Sequence, residues 1–184
     1  SKDGLGRLNI TTALGQSADG FTSLYSYGAR SFSIWDSQGQ QVFDSGNDME
    51  RITAALHGAQ FNSNHLMVEG DNRSDDKGPE PEALTLGVID GRRFAFIGAE
   101  RMSSIFVYDV TNPFQVRFVD YGINRNLNAV YSIDDDTVPA TVTGDVAQAG
   151  DLGPESLVFV DAAKSPVAQP LLISANEVSG TVTV

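Results

Sequence analysis

Residues 81–84 have the sequence PEAL, and residues 154–157, 73 positions later, have the sequence PESL. Two further pairs follow in the same order along the chain: FAFIGAE at 94–100 with LLISANE at 171–177, and SIFV at 104–107 with GTVT at 180–183. Each segment is short, largely apolar and bounded by turn-forming residues, which is typical of β-strands. Three strands that recur in one order predict a repeat architecture.

The repeat predicts an all-β fold, a partial β-propeller of about two and a half four-stranded antiparallel blades. A fainter copy, SYGARSFSIW at residues 26–35, matches the second and third strands of the unit. A single domain, residues 1–184, is expected, with units at about 7–45, 80–122 and 154–184. The alternative is a β-sandwich with two decorated edges, which the repeat disfavours.

Two long insertions account for the length of the repeat. They comprise residues 46–79 and 123–153, and both precede a Pro-Glu step, so both are expected on one rim. Long loops on one rim of a rigid scaffold are where binding and chemistry usually lie. The first insertion contains the only predicted helix, Met49–His57, with Asp48 as the N-cap and Gly58 as the stop.

Strand-like patterns dominate the rest of the chain. The predicted strands are Phe21–Tyr27, Ser31–Trp35, Gln41–Phe43, Ala83–Ile89, Arg93–Ala99, Ile105–Val110, Val116–Tyr121, Leu157–Val160, Leu171–Ala175 and Thr181–Val184. No apolar run is long enough to cross a bilayer, so no membrane insertion is expected. Because the chain starts at Ser1 without Met and stops at Val184 within a strand pattern, we interpret it as a piece of a longer protein.

The composition restricts the classes of partner. The 184 residues include 24 acidic and 12 basic side chains, for a net charge of −12. Such a surface repels nucleic acid and anionic membranes, and it suits divalent cations or a saline medium. The absence of cysteine excludes disulfides, thiolate zinc sites and cysteine nucleophiles, and fits a bacterial secreted or periplasmic protein.

Six segments of the chain resemble one known family. They are ARSFSIWD at 29–36, DSGNDMERI at 44–52, RSDDKGPEPEAL at 73–84, AFIGAER at 95–101, VYDVTNP at 107–113 and GDLGPESL at 150–157. Together they resemble the bacterial choice-of-anchor I family, which is similar to a mesenchyme-specific cell-surface glycoprotein and whose members are often labelled alkaline phosphatase. The resemblance is to the C-terminal portion of such proteins. It implies a β-propeller fold, export to the cell surface or medium, and a phosphoester-hydrolase activity, but it transfers no catalytic residue.

Several carboxylates are expected near the central channel of the propeller. Glu82 and Glu155 begin the innermost strands of successive units, and Glu100 and Glu177 end the strands that follow. Carboxylates that converge from separate blades can bind Ca²⁺, which prefers several oxygen ligands. The candidate calcium ligands are Asp75, Asp76, Glu80, Glu82, Asp151 and Glu155, with Glu100 and Glu177 as further channel candidates. The alternative is that these residues cap turns or pair with arginines.

The segment at residues 73–80, RSDDKGPE, places cations beside the expected channel mouth. A phosphate-handling site needs cations for the substrate and carboxylates for the metal, so Arg73, Lys77 and Arg101 are candidates for binding phosphate. The alternative is a solvated loop with local ion pairs. The two histidines, His57 and His65, lack the spacing of a zinc site, so zinc binding by them is not expected.

Two functions remain open. One is a calcium-dependent phosphoester hydrolase of the alkaline-phosphatase or phytase type, and the other is a non-catalytic surface propeller with a binding or structural role. The second is preferred, because the chain provides only part of a ring. Its terminal blades would expose apolar faces, with Thr181–Val184 as an open strand edge. The expected partner is therefore the rest of the parent propeller or another copy of the chain.

Overall fold

A computed structural model describes residues 5–28 and 30–184 of the chain. Residues 1–4 of the predicted domain, and Ala29 at the start of the ARSFSIWD segment, lie outside the described residues. The fold is all-β, built from small antiparallel sheets. Its elements are β1 (Gln16–Ser17), β2 (Gly20–Phe21), β3 (Ser33–Trp35), β4 (Gln41–Asp44), α1 (Asp48–His57), β5 (Pro81–Ile89), β6 (Arg92–Ala99), β7 (Ser104–Asp109), β8 (Arg117–Ile123), β9 (Tyr131–Asp134), β10 (Thr141–Gly144), β11 (Pro154–Val160), β12 (Leu171–Asn176) and β13 (Thr181–Thr183).

The largest sheet is the second unit, in which β5, β6, β7 and β8 pair in sequence order. Its first hairpin turns through Asp90 and Gly91, whose φ angles are 51° and 77°. A two-residue turn that matches the twist of the strands requires positive φ at both positions, which is why Asp-Gly stands there. The sequence therefore fixes the register of β5 against β6, in which Ile89 pairs with Arg92.

The third unit repeats the geometry of the second. β11, β12 and β13 pair in order, and a bulge after the first residue of the inner strand occurs in both β5 and β11. In each unit the bulge coincides with the glutamate of the Pro-Glu step, Glu82 in one and Glu155 in the other. The amide of Glu100 donates to the carbonyl of Glu80 at 2.9 Å, and that of Glu177 donates to Gly153 at 2.8 Å. Glu82 and Glu155 thus begin topologically equivalent strands, as predicted.

The second unit packs between the other two. Phe94 and Phe96 of β6 contact the third unit, whereas the alternate residues, including Ile97, pack with the β3–β4 hairpin and α1. The rings of Phe96 and Phe159 stack at 5.6 Å between the two sheets. Sheets packed face to face in chain order, without closure among the described residues, form the arrangement expected of a partial β-propeller.

Several details of the prediction are wrong. The segment Phe21–Tyr27 is not a strand, since β2 ends at Phe21 and Ser26 makes only an isolated bridge to Ile10. Apolar side chains on both faces of the predicted strand Ser31–Trp35 are expected to be buried between blades, but Trp35 is 58% exposed. Asp48 is the first residue of α1 rather than its cap, and Asn47 precedes it without a capping side-chain bond.

The insertions have structure of their own. The first contains α1, which ends at His57 with Gly58 as its C-cap, as predicted, and the second contains the β9–β10 hairpin, which was not predicted. No helix in the described part of the chain combines the length and the apolar character needed to cross a membrane.

Candidate functional site

Glu80 lies immediately before β5 in a backbone conformation that glycine usually occupies. Its φ is 50°, and the equivalent residue of the third unit is Gly153, with φ 72°. A side chain in this left-handed region is unfavourable by about 1 kcal/mol. The contacts of the Glu80 carboxylate therefore have to compensate for the strain of its backbone.

Three cations surround the Glu80 carboxylate, which is only 3% exposed. Arg73 contacts its Oε1 at 2.9 Å and Lys77 contacts the same oxygen at 3.4 Å, while the Nε of Arg101 donates to Oε2. A buried carboxylate without such partners would suffer a large desolvation penalty. Glu80 thus fixes the segment at residues 73–80 against the turn that contains Arg101.

Glu100 is the second buried carboxylate. Its Oε1 lies 3.1 Å from Nδ1 of His65 and 3.3 Å from Nη1 of Arg101. Burial raises the pKa of Glu100, but hydrogen bonds with His65 and Glu80 and the charge of Arg101 lower it from 4.5 to about 2. Glu100 is therefore ionised throughout the physiological range.

Arg125, which the sequence analysis missed, holds the first insertion over this site. Its guanidinium donates to the carbonyls of Arg101, Asn64 and Met67, at 2.9, 2.6 and 2.8 Å. The hydroxyl of Tyr131 donates to the carbonyl of His65 at 2.8 Å. The second insertion therefore helps to place His65 beside Glu100. An arginine in a loop carries no sequence signal for such a role.

Glu82 and Glu155 differ from the buried pair because neither has a hydrogen bond or an ion pair among the described residues. Partial burial raises the pKa of Glu82, and the charges of Glu100, Glu80 and Glu155 raise it further. Partial burial and the charges of Glu177 and Glu100 likewise raise the pKa of Glu155. Both carboxylates are thus exposed to repulsion that the charge of Arg101 offsets only in part.

The structure brings together part of the predicted ligand set. One ligand oxygen each of Glu80, Glu82 and Glu100 lies within 4.8 Å of the others. The charge of Glu155 acts on Glu82, and that of Glu177 acts on Glu155, so five carboxylates can be counted together with the three cations Arg73, Lys77 and Arg101. The group therefore has a net charge of −2 when His65 is neutral. We refer to these five carboxylates as the rim cluster.

The other predicted ligands make separate contacts. Asp75 pairs with Arg7 at 3.2 Å, and Asp76 pairs with Arg73 at 3.1 Å. Asp151 accepts hydrogen bonds from Asn124 and Thr181, each at 2.6 Å, and from Thr183. Partial burial raises the pKa of Asp151, but the bonds from Thr181, Thr183 and Asn124 outweigh it, so the pKa is lowered. Asp151 therefore joins the second and third units rather than the rim cluster.

The three cations proposed for phosphate, Arg73, Lys77 and Arg101, all contact Glu80. This is the ion-paired loop that the sequence analysis gave as the alternative. Phosphate binding by these residues stays a prediction. It would require an anion to compete with a buried carboxylate for the same charges.

Comparison with known proteins places the chain in a family. A family model described as "Choice-of-anchor I domain" matches residues 1–113. The chain belongs to the choice-of-anchor I family. The resemblance found in the sequence is thus confirmed, and the match includes the segment at residues 73–80 and the Glu80, Glu82 and Glu100 positions.

Two curated proteins are similar to this choice-of-anchor I chain. Gigasin-3a of Magallana gigas is 31% identical over 189 residues, a match that covers 97% of the chain and 63% of Gigasin-3a. Mesenchyme-specific cell surface glycoprotein of Strongylocentrotus purpuratus is 30% identical over 104 residues, covering 49% of the chain and 13% of that protein. The chain thus spans less than two thirds of either relative. No solved structure matches it.

Proposed function

We propose that the chain is an extracytoplasmic domain of a surface or secreted protein, with a binding or structural role that depends on calcium at the rim cluster. Membership of the choice-of-anchor I family supports this location, and one similar protein is named a cell surface glycoprotein. The net charge of −12 suits a medium rich in divalent cations. A bacterial origin stays a prediction, because both similar proteins come from animals.

The observation that carries the calcium proposal is the approach of three glutamate oxygens to within 4.8 Å of one another. Ca²⁺ binds oxygens at about 2.3–2.6 Å, so two ligands on opposite sides of one ion lie about 5 Å apart. Glu80, Glu82 and Glu100 of the rim cluster therefore have the spacing that a single ion requires. Its donors are hard carboxylate oxygens, which select calcium over softer metals.

Charge supports the same assignment. The rim cluster has a surplus of two negative charges, and the two carboxylates without cation partners, Glu82 and Glu155, have raised pKa values. A divalent cation would remove this repulsion, whereas Glu80 and Glu100 already have partners. We therefore propose that Glu82 and Glu155 supply the free ligand capacity, and that the buried pair fixes their surroundings.

Isothermal titration with calcium chloride tests this proposal. We expect the wild-type chain to bind calcium, and the Glu82→Gln, Glu155→Gln double variant to bind at least tenfold more weakly. Glu69→Gln is the matched control, because Glu69 is exposed and makes no ion pair among the described residues. If the double variant and the control bind calcium with the same affinity, Glu82 and Glu155 are not calcium ligands.

A calcium-dependent phosphoester hydrolase is the second candidate. It is favoured by the position of Arg73, Lys77 and Arg101 beside the carboxylates, since phosphoryl transfer uses both. The test is hydrolysis of p-nitrophenyl phosphate with calcium and with chelator. Hydrolysis that the chelator abolishes and that Arg101→Ala reduces would support the enzyme, and no turnover would leave the binding or structural role.

A further inference from the structure

The first unit of the chain contributes two strands, whereas the second contributes four. β3 and β4 occupy the places of the third and fourth strands, and they pack against the second unit. In the second unit the third strand, β7, pairs with strands on both sides. Within residues 5–28 and 30–184, β3 pairs with β4 alone, so its opposite edge has no backbone partner.

The interface between the second and third units shows what covers the inner strand of a unit. Leu157 and Phe159 of β11 pack against the first two strands of the second unit, where Ala83 and Phe96 lie in the same cluster. A Cβ on Gly87 would come within 2.6 Å of the Phe159 ring. Small residues on the covering strand therefore allow the two inner strands to approach closely.

In the second unit, Leu84 and Leu86 are the equivalents of Leu157 and Phe159, counted from the proline that begins each inner strand. Their equivalents, Leu157 and Phe159, are covered, but Leu84 is 56% and Leu86 is 54% exposed. They line a groove with a cavity volume of about 430 Å³, together with Trp35 of β3. The groove thus lies where the first two strands of the first unit belong.

We propose that a two-stranded antiparallel β-hairpin of the β5–β6 type occupies this groove. Its second strand pairs with the free edge of β3, and its first strand covers Leu84 and Leu86 with small side chains, as Ala83 and Gly87 cover the third unit. This hairpin comes from the parent polypeptide outside residues 1–184. Gigasin-3a supports that source, because more than a third of its length lies outside the match.

A second copy of the chain is a poorer occupant for a geometric reason. The gap is two strands wide, and the other terminal sheet of the chain has three strands, β11, β12 and β13. A three-stranded sheet paired with the edge of β3 would have one strand more than the two that the first unit lacks. A short hairpin has the required number of strands.

A peptide with the sequence of residues 81–99 is the probe, because it is the hairpin that covers the third unit in this structure. It contains the Asp-Gly turn and no tryptophan, whereas Trp35 is the only tryptophan of the chain and lines the groove. We expect a saturable blue shift of Trp35 emission when the peptide binds. A peptide with Gly87→Lys should not produce it.

Variants of the chain decide where the peptide binds. We expect Leu84→Glu with Leu86→Glu to weaken binding at least tenfold, and Val138→Glu to leave it unchanged, because Val138 is 99% exposed in the β9–β10 turn. No shift, or a shift that the double variant retains, would overturn the proposal. So would a dimer of the peptide-free chain that sedimentation equilibrium shows to be lost in the double variant, since the occupant would then be a second copy.

Discussion

Glu80 combines an unfavourable backbone conformation with three ion pairs, and the balance between them can be measured. We expect Glu80→Ala to lower the free energy of unfolding by about 3 kcal/mol, because Arg73 and Arg101, both partly buried, lose their shared counter-ion. Glu80→Gly should lose the same ion pairs but be about 1 kcal/mol more stable than the alanine variant, since glycine relieves the positive φ. Urea denaturation measures both.

Lys77→Ala is the control for this pair of variants. The Lys77 side chain is 44% exposed, so removing its contact with Glu80 should change stability by less than about 1 kcal/mol. If Glu80→Ala were no more destabilising than Lys77→Ala, the ion pairs would not compensate for the backbone strain. The presence of Glu80 where the third unit has Gly153 would then have no measurable effect on the free energy of unfolding.

The lowered pKa of Glu100 predicts an acid-sensitive fold. A carboxylate whose pKa is lower in the folded state contributes stability above its ordinary pKa of 4.5, and this is lost as pH falls towards about 2. We expect the free energy of unfolding to fall over that range, and Glu100→Gln to be less stable at pH 7 with a flatter acid dependence. Urea denaturation at several pH values is the measurement.

Glu82 should have the opposite effect on how the free energy of unfolding depends on pH. Its pKa is raised in the folded state, so its contribution is present at low pH and is lost as pH rises through that raised value. In the absence of calcium, Glu82→Gln should therefore be more stable than the wild type at pH 7. A variant that is less stable than the wild type would show that Glu82 has a cation partner.

At the scale of the elements, Gly87 tests how the second and third units pack. Gly87→Val places a side chain where the Phe159 ring lies, and we expect a loss of about 1–3 kcal/mol in the free energy of unfolding. Gly122→Ala is the control, because nothing lies within 4 Å of its added Cβ and its φ is not positive. Thermal or urea unfolding compares them.

A double-mutant cycle with Phe159→Ala tests whether Gly87→Val destabilises the protein through contact with the Phe159 ring. If Gly87→Val acts through the Phe159 ring, the double variant should be more stable than the sum of the two single effects predicts. Additive effects would mean that the two residues do not interact. The face-to-face packing of β5 and β11 would then be wrong.

The sequence predicted the elements that repeat, because strand length, the Pro-Glu step and the Asp-Gly turn are local signals. It failed where long-range pairing decides the structure. The segment Phe21–Tyr27 has the composition of a strand, but it has no neighbouring sheet to join, and the β9–β10 hairpin forms in a segment whose apolar pattern is weak. Trp35 is exposed at the groove that it lines with Leu84 and Leu86, which no local pattern predicts.

The rim cluster was predictable only in part. The equivalence of Glu82 with Glu155 follows from the repeat, and the structure confirms the equivalent positions of these residues. The pairing of Arg73, Lys77 and Arg101 with Glu80 could not be deduced, since it depends on how the first insertion folds back. The contact of His65 with Glu100 and that of Arg125 with the Arg101 carbonyl also depend on long-range folding.

At the scale of the whole molecule, the chain has an acidic rim and two open blade faces. Leu84 and Leu86 mark one face, and Val158 and Val182 remain exposed on the third unit. Exposed apolar faces of this kind indicate interaction surfaces. Calcium at the rim cluster would rigidify the loops that join the units without requiring that the ring be closed.

Crystals grown with and without calcium chloride provide the most direct test of the calcium assignment, which is the central claim. Anomalous difference maps recorded at long wavelength locate bound calcium without reference to the protein coordinates. We predict one strong peak with an oxygen of Glu82 at about 2.3–2.6 Å, present only in the calcium-grown crystals. Calcium found only at other carboxylates, or no peak at the rim cluster at saturating calcium, would contradict the account.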